Sequence, residues 1–471
     1  MTFKPKNRKE LKKALNEYFL KNEQKYGNIN DWDVSLITDM SNLFFCNHSF
    51  NEYCESKIHE FNESINNWNV SNVTNMENMF SCCHKFNQPI NNWNVSNVTN
   101  MSRMFSDCYD FDQSLNNWNV SKVTNMNGMF YYCRHFNQPL NDWNVSNVTN
   151  MNNIFIGCHQ FNQPINNWNV SNVTNMSSMF SECTNFNQPI NNWNVSNVTN
   201  MCSMFSYCRV FNQSLNNLNV SKVTNMNYMF YECKEFNQPL NNWNVSNVSN
   251  MDRVFAVCHQ FNQPLNNWNV SNVTNMYCMF YDCKEFNQSI NNWNVSKVKD
   301  MSYMFCCCEK FNQPINNWNV SNVTHMNFMF SSCKEFNQSI NNWNVSNVTN
   351  MCFMFEYCKQ FDQSLDNWNI SNVNFIEYMF LECDKFNKEK FYIEMINKNN
   401  KYLLNLLIEL KKYISVIKIY HMVENKKNIM DNLLDSEKKI IHDFIIKSSD
   451  DICKVCYYQG KCVDNVCGLC L

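Results

Sequence analysis

Glycine is nearly missing from this chain, with five in 471 residues. A glycine-rich phosphate cradle is therefore close to excluded. Turns that need awkward backbone angles must rely on asparagine instead. An excess of either charge is also missing: 38 Lys and Arg stand against 41 Asp and Glu, and charged residues make up only 17%. A nucleic-acid partner would demand a basic stripe, so none is expected. No apolar run reaches the ~18 residues of a membrane span. The nearest, Tyr402 to Val423, is broken by Glu409, Lys411, Lys412 and Lys418. The first ten residues are basic with no apolar run behind them, so no signal peptide is expected. In the reducing compartment this implies, the 26 cysteines should be free thiols or metal ligands.

What is present is a repeat. The phrase Asn-Trp-Asn-Val-Ser-Asn-Val-Thr-Asn-Met returns every 25 residues, and Phe61, Phe86, Phe111 and their successors to Phe361 open thirteen copies over 61–385. A fixed period of this length is the signature of a solenoid, whose stability comes from neighbouring rungs rather than from one large core. In the first copy, counting from Phe61 as position 1, the spacing Ile65-x-x-Trp68-x-Val70 reads as a short strand. The steps from Val73 through Met76, Met79, Phe80 and Cys83 read as a helix of about two turns, with Thr74 or Asn75 as its N-cap. The fold class expected is an α/β repeat solenoid, leucine-rich-repeat-like, with one short parallel strand and one short helix per rung and helical caps at both ends. Its spine would be the columns begun by Trp68, Trp93 and Trp118, by Phe80 and Phe105, and by Cys83 and Cys108. The cysteine column reads as small buried hydrophobes rather than as a metal or redox wire. Inward asparagines would satisfy the backbone at corners. Leu218 replaces tryptophan in one rung, which should be the loosest.

The ends differ from the array. Residues 1–25 hold an amphipathic capping helix with Leu11, Ala14, Leu15, Tyr18 and Phe19 on one face. Residues 26–60 form a degenerate first repeat with an insertion. Residues 386–450 read as a C-terminal helical cap and 451–471 as a cysteine-rich tail. In the tail, Cys453-x-x-Cys456 and Cys467-x-x-Cys470 bracket Cys462. Two such pairs can hold a tetrahedral zinc, and disulfides or a thiol tail without metal are the competing readings. Zinc is the one cofactor to consider.

The repeated phrase, followed by Met-Phe-x-x-Cys-x-x-Phe-Asn-Gln-Pro, resembles the BspA-like leucine-rich-repeat family over about residues 3–386. The resemblance extends to the Phe-Lys-Pro-Lys-Asn-Arg-Lys-Glu-Leu-Lys entry and to the lead-in from Tyr26-Gly27 to Trp32-Asp33-Val34-Ser35. This repeat type is found in mycoplasma surface lipoproteins and in giant viruses of amoebae, whose Asn- and Lys-heavy composition this chain shares. The resemblance implies a solenoid that displays a binding or adhesive surface without catalysis. Without a leader, the setting it implies is a host cytoplasm or a virion.

Rung-to-rung variation concentrates at positions 17, 18, 21, 22, 24 and 25. Position 18 is aromatic at Tyr228, Tyr303, Phe328, Phe353 and Tyr378. Pointed outward, these would form an apolar strip suited to a protein or glycan; pointed inward, they would pack helix to helix between rungs. Cys306-Cys307-Cys308 is expected to expose two thiols. The Asn-Val-Ser and Asn-Val-Thr triplets are by-products of the repeat. No nucleophile–base–acid set or buried carboxylate pair can be assembled, so an enzyme is not expected. The leading reading is a non-enzymatic scaffold for a protein or glycan. Its rivals are a structural assembly component without a ligand and an adaptor with a zinc knuckle.

Overall fold

A computed structural model describes residues 2–19, 23–45, 59–388 and 390–392, with the backbone of 462–463 and 466–467. The insertion before Phe61, nearly all of the C-terminal cap and most of the tail lie outside the described residues. Two compact units, Met1–Asn272 and Val273–Leu471, divide the chain.

The first unit opens with helix α1, Arg8–Phe19, which buries Leu11, Ala14, Leu15 and Tyr18. A short α2, Glu23–Tyr26, and a 3₁₀ turn, Ile29–Asp31, lead to Trp32 and the first rung. α1 also supplies charge where the array starts. Carbonyls of Ser41, Leu43 and Phe45 point away from the following rung and have no preceding rung to meet. Arg8 donates to Ser41, and Lys12 donates to Leu43 at 2.6 Å and Phe45 at 3.1 Å. A stacked array would leave these acceptors open, and charged donors close them well.

Each rung has the same backbone, and it differs from the expected strand and helix. Over Met76–Cys83 the N–H of Met79 bonds to the carbonyl of Met76 and that of Cys83 to Phe80. Asn78 and Cys82 are left-handed, with φ of 51° and 67°. An i+3 to i bond with the third residue left-handed is the pattern of a type II turn, so the segment is two such turns in tandem. Four other N–H groups are used sideways. Those of Met76, Asn78, Phe80 and Cys82 donate to the carbonyls of Asn100, Ser102, Met104 and Ser106 in the next rung, at 2.8–2.9 Å. A helix would have spent those donors within its own turn. Inward spacing of 3, 1 and 3 fits three-residue turns as well as it fits a helix, which is why the sequence suggested one.

The strand is displaced as well. Trp68 and Val73 close turns onto Ile65 and Val70, and among the described residues rung-to-rung β pairing is a parallel bridge at position 15, as in Asn75 with Asn100 and Asn275 with Asp300. There Asn75 Oδ1 accepts the N–H of Glu77 at 3.1 Å, so the supposed helix cap is an Asx turn. The only strands among the described residues are β1, Cys462–Val463, and β2, Val466–Cys467, an antiparallel pair in the tail.

Inside both units the side chains form columns. Phe80 stacks on Phe105 at 5.6 Å and on Phe86, which opens the next copy, at 4.2 Å. Trp93 lies over Trp118 at 6.5 Å, nearly coplanar. Tryptophans of the column also donate Nε1 to the preceding rung, as Trp118 does to the Ile90 carbonyl at 3.1 Å. Asparagine columns do the polar work: Asn62 Oδ1 accepts both the N–H of Asn87 and the amide of Gln88 in the next rung. Cysteines of the column donate their thiols to carbonyls one rung back, as Cys108 does to Phe80 at 3.1 Å. Cysteine there is a small hydrophobe with a donor that serine would carry at greater desolvation cost.

Leu218 is buried at 4% exposure but has no indole N–H for Ile190. Leu218→Trp should restore that bond and the stack, raising stability by about 1–2 kcal/mol. A lower urea midpoint than wild type would show that the slot has closed around leucine.

Candidate docking face

Positions 18 and 22 are left-handed in every rung from Phe61 to Lys385. Most rungs put Asn, Ser, Arg or Gly at position 18, as in Asn78, Ser178, Arg103 and Gly128. Asn and Gly are suited to that conformation, whereas a bulky ring there is an outlier. Four consecutive rungs of the second unit nevertheless carry aromatics: Tyr303, Phe328, Phe353 and Tyr378 have φ of 56–58°.

Their rings form one column. Tyr303 stacks on Phe328 at 4.5 Å, Phe328 on Phe353 at 4.4 Å and Phe353 on Tyr378 at 4.7 Å. Tyr303 and Tyr378 are buried, at 4% and 9% exposure, while Phe328 and Phe353 are partly exposed. The arrangement thus combines rung-to-rung packing with a partly open strip. Tyr303 also packs on Cys278 and Cys306, with Tyr277 and Tyr281 alongside. Burial pushes the Tyr281 hydroxyl well above its ordinary range.

Polar pairs that bridge rungs flank the column. Ser302 donates to Asn327 Oδ1 at 2.7 Å, and Ser331 to Glu356 at 2.8 Å. The Cys352 thiol donates to Glu377 at 2.8 Å. Burial raises the Glu356 carboxyl above the usual carboxylate range, and the Ser331 hydroxyl only partly offsets it. Each polar group thus has a partner, and the side of the strip is fixed rather than adaptable.

Tyr228 belongs to the first unit and to a different setting. It receives a hydrogen bond from Arg253 of the next rung, whose guanidinium lies 5.0 Å from its ring. The proposed spine residues Trp68, Trp93, Trp118, Phe80, Phe105, Cys83 and Cys108 all sit in the core at 3% exposure or less. Of the tail cysteines, Cys453, Cys456 and Cys470 lie outside the described residues, and Cys467 is described only as backbone in β2, paired with Cys462. Among the described residues no group of three or more His, Cys, Asp or Glu is arranged to hold a metal ion. The expectation for the cysteine triplet needs correcting. Cys306 and Cys308 are buried at 5% and 0%, because positions 21 and 23 face neighbouring rungs, and Cys307 alone is partly exposed.

The left-handed turns do leave a signal in the sequence, which the helical reading passed over. Gly128 stands at position 18 and Gly157 at position 22, two of the five glycines.

The family model described as "Mycoplasma protein of unknown function, DUF285" matches residues 13–141, 133–236, 213–316 and 285–394. The chain belongs to this family. Its four overlapping matches take in all thirteen rungs of the DUF285 array. No curated protein matches the chain. Among solved structures, a leucine-rich repeat protein from Eubacterium ventriosum is 14% identical, with 67% of this chain and 81% of that one covered and a TM-score of 0.31. A TLR13–ssRNA13 complex is 9% identical, with 69% and 57% covered and a TM-score of 0.19. The solenoid reading of the DUF285 chain rests on its own rungs rather than on these neighbours. Among the described residues no helix is long and apolar enough to cross a membrane.

Proposed function

We propose that the chain is a non-catalytic repeat scaffold that docks a protein partner on the aromatic column of its second unit. The observation that carries this reading is the use of four successive rings at a left-handed turn position. Other rungs fold the same turn with Asn, Ser or Arg, so the backbone does not need them. A strained choice that local folding does not require points to another use. Between the two partner classes weighed from sequence, a protein is favoured. Sugars stack on free ring faces, and here the faces of Phe328 and Phe353 cover one another. What is left is a row of ring edges, which suits an apolar side chain.

The scaffold reading is also supported by how the column thiols are used. Burial raises Cys133, Cys158 and Cys183 far above the ordinary thiol range, and each donates to a carbonyl. Such groups are inert as nucleophiles.

The test is Phe328→Ser combined with Phe353→Ser. Serine already occupies this position at Ser178 and Ser203 with the same φ sign, so the turns should hold. Loss of two hot-spot rings, each worth about 2 kcal/mol, should weaken a captured partner by well over about tenfold. Quantitative affinity capture from host lysate, with circular dichroism as the folding check, reads this out. An unchanged set of captured proteins from a folded variant would remove the column from consideration.

A further inference from the structure

Cysteines 306 and 307 differ from the column cysteines. The column cysteines donate to backbone carbonyls, whereas Cys306 and Cys307 meet each other, sulfur to sulfur at 3.7 Å. Cys306 lies at position 21, buried against Tyr303 and Cys278. Cys307 lies at position 22, left-handed with φ of 61°, and is partly exposed. Two thiols in contact, one reachable and one behind it, have the layout of an attacking and a resolving pair.

We propose that Cys307 is a thiol-exchange site for small disulfides, with Cys306 as its resolving thiol. In the first step the Cys307 thiolate attacks one sulfur of R–S–S–R. A Cys307–S–S–R bond forms, and R–S⁻ leaves and takes a proton from solvent. In the second step Cys306 gives its proton to solvent and attacks the Cys307 sulfur. The Cys306–Cys307 bond forms and the second R–S⁻ leaves. The two cysteines are oxidised by two electrons together, and the small disulfide is reduced to two thiols.

The local chemistry sets the roles. The sulfur–sulfur contact lowers the Cys307 thiol from its ordinary range, and the same contact together with burial raises that of Cys306. The Ser332 hydroxyl adds to the lowering, while burial and the carboxylates Asp282 and Glu356 oppose it. Thiolate fraction and access together govern exchange. Because the charges of Asp282 and Glu356 act on Cys307, the site favours a cationic disulfide over an anionic one. The inference stands on the thiol geometry and is independent of the docking reading.

The experiment treats the full chain with cystamine and maps peptides by mass spectrometry. Wild type should lose two hydrogens across Cys306 and Cys307. Cys306→Ser should instead hold a stable mixed disulfide at Cys307, and Cys307→Ser should show neither product. Serine is native at position 21 in Ser331 and at position 22 in Ser332, so both variants should fold. If Cys307 stays unmodified in wild type and in Cys306→Ser while the tail cysteines react, the site is overturned. If wild type accumulates as much mixed disulfide as Cys306→Ser, the resolving role is overturned.

Discussion

Phe180→Ala should destabilise the first unit by about 3–5 kcal/mol, read as a drop in the urea midpoint. Phe180 is fully buried and touches four rings: Phe186 at 4.2 Å, Phe205 at 5.7 Å, Phe155 at 5.9 Å and Trp193 at 6.3 Å. Two of the four, Phe155 and Phe205, are its counterparts in the neighbouring rungs. Truncation therefore leaves a hole that cannot collapse within one rung, because this rung is pinned to the next by its turn-segment N–H groups. Phe180 itself donates to Met204 at 2.9 Å, and Glu182 to Ser206 at 2.7 Å. In a stacked array the damage lies in both interfaces that the ring serves, so the cost should exceed that of a comparable ring at the end of a column. A loss below about 1 kcal/mol would mean that the rungs do not depend on ring stacking.

The period and the set of inward residues were legible because every rung meets the same environment. A position that must match in thirteen copies announces itself by barely varying: the successors of Trp68 change only at Leu218, and those of Val70 only at Ile370. The path of the backbone was not legible. Met76, Met79, Phe80 and Cys83 face inward in tandem turns just as they would in a helix, and periodicity reports facing, not where the N–H groups go. Asn78 and Gly128 at a single column position were the clue to the left-handed turn. Arg8 and Lys12 were illegible as caps because their carbonyl partners lie about thirty residues away and carry no side-chain signal. The aromatic column was visible as a list of positions in Tyr303, Phe328, Phe353 and Tyr378. Their mutual stacking, and the different setting of Tyr228 beside Arg253, depend on rung spacing that no single copy encodes.

Gly157→Ala should cost about 2–4 kcal/mol, the sum of a left-handed alanine and a displaced ring. Gly157 has φ of +68°, and a Cβ there would fall 2.4 Å from Cδ1 of Tyr132. The turn itself does not demand glycine, since Glu182 holds the same position one rung on at φ of 61°. The ring of Tyr132 does. It crosses the bare backbone of Gly157 to donate its hydroxyl to Glu182 at 2.9 Å, two rungs away. Burial first, then this bond, pushes the Tyr132 hydroxyl up to about 12, so it stays a donor across the neutral range. Tyr132→Ser alone should cost about 1 kcal/mol for the lost bond. In the double variant the ring is gone and alanine meets no clash. Only the left-handed term and the lost bond should remain, about 2 kcal/mol together. The double-mutant cycle in urea should therefore show a favourable coupling of about 1–3 kcal/mol between the two changes. Strict additivity would mean that the tyrosine does not lie over the glycine. That would leave the near-absence of glycine elsewhere in the array, and its presence at this position, without a physical cause.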